Sequence, residues 1–129
     1  DFSKAIKYFN LALQSQPGDV DILFYKGDAL YNMQDYRNAY AVFSSIIEID
    51  DRYKMAYVKM AQCLYHLERY GEALEEIDNA LDIDKHYDYA NYYRCPILEK
   101  VGQFFEAKDC YFKWGNSLEE LEGNNTENI

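Results

Sequence analysis

The chain has 129 residues, a formal net charge of -10, 49% hydrophobic and 28% charged residues, and only 2 Pro and 6 Gly. This length suits one domain, and the composition excludes wholesale disorder and a loop-rich fold. The acidic balance disfavours sequence-independent nucleic-acid binding and anionic membrane surfaces, both of which carry phosphate of the same sign, and favours partners with basic flanks.

Ala5, Phe9 and Ala12 recur at helical spacing and are followed by Pro17, which predicts one helix over 1–17. Leu23, Gly27, Leu30 and Met33 then share a helical face, and after a short break so do Tyr36, Ala39, Tyr40, Phe43, Ile46 and Ile47. Tyr57, Ala61, Leu64 and Leu67 form a third such stripe, and Tyr70, Ala73, Leu74, Ile77, Ala80 and Leu81 a fourth. Cys95 and Leu98 precede a final series of Phe104, Ala107 and Tyr111. Pro96 falls inside a predicted helix and should kink it, since it removes one backbone hydrogen bond. Leu118 and Leu121 are expected to prolong the stripe of Tyr111 and Trp114 as a terminal cap, with 124–129 a frayed tail. No segment alternates as a half-buried strand would, so the fold class is all-α.

These elements repeat. Steps of 34 residues align Ala5, Ala39, Ala73 and Ala107, then Phe9, Phe43, Ile77 and Tyr111, then Gly27, Ala61 and Cys95, then Leu30, Leu64 and Leu98. Each period holds two helices, and a tight helical turn demands small residues where they cross. Gly27 beside Ala39, Ala61 beside Ala73, and Cys95 beside Ala107 supply them. Phe43, Ile77 and Tyr111 are expected to fill the space between successive pairs.

This period and its pattern of small and aromatic residues resemble the tetratricopeptide repeat. Gly27, Leu30, Tyr36, Ala39 and Phe43 match one repeat; Ala61, Leu64, Tyr70, Ala73, Ile77 and Ala80 match the next; Cys95, Leu98, Gly102, Phe104, Ala107 and Tyr111 match the third. The resemblance implies a right-handed superhelical solenoid of about three and a half repeats, or seven helices. Its divisions would be a truncated repeat over 1–17 and repeats over 20–53, 54–87 and 88–122. The repeat-closing proline of the family is present as Pro17 but is replaced by Asp51 and Lys85.

In the family the first helix of each repeat lines a concave surface that holds peptides or partner helices. Here the side of those helices opposite the core stripe is aromatic and apolar. It carries Phe24, Tyr25 and Tyr31, then Met55, Val58 and Tyr65, then Tyr89, Tyr92 and Tyr93, with Lys59 and Gln62 among them. Contiguous apolar patches of this kind mark interaction sites, although tyrosines can also stiffen a solenoid by stacking between repeats. Chaperone-binding relatives clamp a terminal carboxylate with Lys, Asn and Arg. Lys59 is the one suitably placed cation here, beside Asp21 and Asp28, so a carboxylate clamp is not expected.

No constellation for catalysis or cofactor binding emerges, so no enzyme is expected. His66 and His86 stand apart from metal-ligand spacing, with His66 near the groove, and Asp50, Asp51, Asp82 and Asp84 lack the glycine-centred loop of a calcium site. Cys63, Cys95 and Cys110 are odd in number and widely spaced, which reads as three thiols in a reducing, cytoplasmic compartment, with Cys95 and Cys110 as small core residues. The expected function is an adaptor or scaffold holding a protein or peptide partner. The competing readings are self-association through the truncated N-terminal end, where Ala5, Phe9 and Ala12 lack cover, and a segment that positions a catalytic domain elsewhere. An RNA-reading helical repeat is disfavoured by the acidic balance of the chain and the lack of a basic inner face.

Overall fold

The computed structural model describes residues 1–115, which form seven α-helices and no strand. They are α1 (Phe2–Ser15), α2 (Val20–Asn32), α3 (Tyr36–Ile49), α4 (Lys54–His66), α5 (Tyr70–Ile83), α6 (Asp88–Lys100) and α7 (Phe104–Trp114). Each helix packs chiefly on its neighbours in the chain, and α4 also meets α6. The expected cap at Leu118 and Leu121 and the tail at 124–129 lie outside the described residues.

The helix boundaries follow the 34-residue step. The turn inside each pair is built the same way three times: Gln34, Glu68 and Gly102 take positive φ angles of 64°, 61° and 85°. The amides of Asp35, Arg69 and Gln103 then bond back to the carbonyls of Leu30, Leu64 and Leu98 at 2.9, 2.8 and 2.9 Å. This is the Schellman closure, which satisfies carbonyls orphaned at a helix end and wants glycine at the left-handed residue. Between pairs, the closing prolines are replaced by side-chain capping. Asp50 and Asp84 accept from the amides of Arg52 and His86 at 3.1 and 3.0 Å.

The core is a chain of three clusters. Leu23, Phe43, Ile46, Ala56 and Met60 join α2, α3 and α4; Val58, Ala61, Leu64, Ile77 and Ile97 join α4, α5 and α6; Cys95, Leu98, Ala107 and Cys110 join α6 and α7. Phe43 and Ile77 are wholly buried between successive pairs. The atoms nearest a Cβ built on Gly27 all belong to the Phe43 ring, at 2.6–3.0 Å, so it is Phe43 rather than Ala39 that makes glycine necessary there.

Two expectations are corrected. Cys95 and Cys110 are bonded as a disulfide, with Cα atoms 5.3 Å apart, and only Cys63 is a thiol. The two cysteines lie 15 residues apart in sequence but face each other across the last helix pair, and the expectation of a reducing compartment loses that support. At the N-terminal end, Phe9 is half-buried and stacks on Tyr25 at 6.3 Å. The apolar residues that α1 leaves exposed are Phe2, Tyr8 and Leu11. Pro96 lies within α6, which runs from Asp88 to Lys100. The missing N–H there deprives the Tyr92 carbonyl of its usual partner without ending the helix.

Candidate functional site

The face shared by α2, α4 and α6 carries two adjoining cavities. One, of about 190 Å³, is lined by Tyr31, Gln62, Tyr65, His66, Tyr92, Tyr93, Pro96 and Ile97. The other, of about 250 Å³, is lined by Phe24, Asp28, Met55, Lys59, Gln62, Tyr89 and Tyr93. Gln62 and Tyr93 belong to both, so the two form one continuous groove across three helices. Its residues step along each helix at intervals of three or four, as a single helical face must.

Most of the side chains expected on this face are brought together here. Two are not. Val58 is wholly buried among Ala61, Leu64 and Ile77, although Phe24 and Tyr92 occupy the same position in the neighbouring repeats. Its side chain is too short to emerge from between the helices that flank α4 on both sides. Tyr25 lines neither cavity and stacks on Phe9 of α1. Asp28 lies on the groove face as expected and His66 lines the groove, whereas Pro96 and Ile97 are lining residues not expected from the sequence. A signal for Pro96 existed, because the 34-residue step aligns it with Asp28 and Gln62.

The polar groups of the groove hold one another. Lys59 Nζ lies 3.2 Å from Asp28 Oδ1 and sits over the rings of Tyr31 and Phe24 at 5.6 and 6.0 Å. This arrangement neutralises the ammonium and spreads it over aromatic faces. His66 stacks on Tyr36 with centroids 4.3 Å apart and meets the Tyr31 hydroxyl at 3.0 Å. Burial holds the His66 imidazole below its ordinary pKa. The Tyr31 phenol is pushed up to about 12, first by burial and then by Tyr36. Near pH 7 the wall of the smaller cavity is therefore neutral: phenols, an amide, an imidazole and apolar carbon. Cys63 lies buried in the core, and burial pushes its thiol up to about 12, so it is no nucleophile. Among the described residues no cluster of His, Cys, Asp and Glu could hold a metal ion, and no helix is long and apolar enough to cross a membrane.

Comparison with known proteins bears on this architecture. The family described as "Anaphase-promoting complex, cyclosome, subunit 3" matches residues 1–80. The chain belongs to that family. A search of curated proteins found no match. Members of the subunit 3 family are helical-repeat proteins of tetratricopeptide type, and similar solved structures agree. A crystal structure of MamA superposes with a TM-score of 0.80 at 19% identity, covering 88% of this chain and 66% of that one. MamA from Desulfovibrio magneticus RS-1, residues 41 to the end, gives 0.81 at 18%, covering 95% and 68%. The chain thus spans about two thirds of those MamA structures. The first tetratricopeptide domain of Spaghetti (RPAP3), bound to the HSP90 peptide SRMEEVD, gives 0.73 at 14%, covering 78% and 79%. At such identities the likeness is one of fold. The subunit 3 family assignment supports a protein–protein interaction module.

Proposed function

We propose that the chain holds a peptide segment or helix of a partner protein along the α2–α4–α6 face, with the two cavities receiving successive side chains. The observation that carries this reading is their continuity through Gln62 and Tyr93, which makes one groove long enough for several residues. Aromatic walls give large contact area at small entropic cost, which is where interface energy concentrates. The net charge of -10 favours basic flanks on the partner, chiefly through the rate of encounter. The description of the family as a subunit of a complex agrees with a partner-holding role.

The groove is not proposed as a carboxylate clamp. Its one lysine is already engaged by Asp28, and His66 is held neutral, so no set of cations converges on either cavity. Panning the folded chain against a random peptide display library tests the reading. Enriched sequences should carry large apolar residues flanked by Lys or Arg. Their binding should weaken at least tenfold when Tyr65 and Tyr92 are both changed to Ala, with the helical signal intact. Loss of binding on changing Lys59 alone would point instead to a specific anion contact.

Self-association is the second reading, favoured by Phe105 and Phe112, which are 91% and 90% exposed on α7. Their repeat positions are Arg37 and Ser44 in the first full pair and Gly71 and Asp78 in the second, so this surface is peculiar to the last pair. Light scattering over a wide concentration range separates the two: a monomer throughout removes this reading, and a concentration-dependent dimer supports it.

A further inference from the structure

We propose that the Cys95–Cys110 disulfide is a reversible thiol-exchange site that sets the order of α6, and through α6 the shape of the groove. The bond ties the two helices of the last pair. Equivalent positions in the earlier pairs are Gly27 with Val42 and Ala61 with Glu76, which hold by packing alone. The covalent tie appears where α7 packs chiefly on α6, whereas α3 and α5 are each packed by helices on two sides.

The bond can be reached from one direction. Cys95 is 1% exposed, whereas Cys110 is 7% exposed and forms part of the wall of a cavity of about 300 Å³. Arg94 and Lys113 line that cavity together with Glu106 and Asp109, so it favours neither sign of charge. A dithiol reductant entering there presents a thiolate to Cys110 Sγ. A bond forms between the two sulfurs, the Cys95–Cys110 bond breaks, and Cys95 leaves with the electron pair and takes a proton. The second thiol of the reductant then attacks the mixed disulfide through its own first sulfur, so that Cys110 departs as a thiolate and is protonated. The reductant ends as a disulfide, and the protein has gained two electrons and two protons.

Reduction leaves α7 without its covalent tie, held by packing in the cluster of Leu98, Ala107, Trp114 and Leu74. Cys95 directly precedes Pro96 and Ile97 and follows Tyr92 and Tyr93, all four of which line the smaller groove cavity. Loosening α6 therefore loosens that wall. This last link rests on the groove reading above; the exchange step does not.

The test uses the full chain in glutathione disulfide and in dithiothreitol. Alkylation after unfolding should count one thiol, Cys63, in the first condition and three in the second. Amide exchange in α6 and α7 should quicken on reduction by up to the order of a hundredfold, the loss expected when a loop of about 15 residues is no longer closed. Exchange in α2 and α3 should not change. The C95A/C110V double variant, built from residue types found at the sister positions, should exchange alike in both conditions. A library-selected groove peptide should bind the oxidised chain more tightly. Three thiols in glutathione disulfide, or α6 exchange indifferent to dithiothreitol, would overturn the proposal. Redox-dependent exchange with unchanged peptide affinity would overturn the coupling to the groove, and the Tyr65/Tyr92 double variant would judge the groove itself.

Discussion

The hydroxyl of Tyr31 on α2 lies 3.0 Å from His66 Nε2 on α4, so two consecutive first helices are joined by a hydrogen bond at the groove. The same imidazole stacks on Tyr36 and meets Tyr65 edge-on at 5.9 Å. Desolvation in this aromatic setting lowers its pKa. Unfolded histidine titrates near 6.5, so below that pH the unfolded chain binds the proton more readily than the folded one. Stability is then fully present above about pH 6.5 and declines as pH falls through the histidine range. Urea midpoints of the wild type and of His66→Phe should diverge between about pH 5 and 7, with the wild type the more pH-sensitive. Parallel curves would show that the imidazole titrates alike in both states.

Gly27→Ala should destabilise the protein although alanine is the better helix former. The new methyl would lie 2.6 Å from the ring of Phe43, which is wholly buried and packed edge-on against Phe24 at 5.6 Å. Overpacking costs about 1–3 kcal/mol, against a propensity gain of about 1 kcal/mol. A net loss of about 1 kcal/mol in chemical denaturation is expected. Ala73→Leu, at an equally sealed position, has no such offset and should lose about 1–3 kcal/mol.

Glu68→Gly and Gln34→Gly should each stabilise the chain by about 0.5–1 kcal/mol. Both residues adopt a left-handed backbone that Gly102 provides at the equivalent turn. Thermal unfolding of the single variants checks this. A lower melting temperature in either would mean that its side chain makes contacts worth more than the backbone strain.

Glu76 buries one carboxylate oxygen, Oε2, without a hydrogen-bond partner, and burial raises its pKa above the ordinary 4.5. The folded state therefore holds the proton more readily, and stability is lost as pH rises from about 4.5 through the folded-state value. The same repeat position in the preceding pair is Val42. Glu76→Val should stabilise the protein by about 1 kcal/mol at pH 7 and by less at pH 4. Equal effects at both pH values would place the carboxylate in solvent.

The residues alone established the helical class and the 34-residue period, and they show on which side of the first helices the aromatic residues gather. These are properties of spacing: a side chain's face on a helix follows from its position modulo the turn, and Ala39, Ala73 and Ala107 mark the crossings whatever surrounds them. Only the tertiary structure decided what depends on distance between elements. It sealed Val58 against α5 and α6 while leaving Phe24 and Tyr92 at the groove, because side-chain length against a neighbouring helix is not a periodic property. It brought Cys95 to Cys110 and Tyr31 to His66 because those pairs meet across helix packing, which no local pattern encodes.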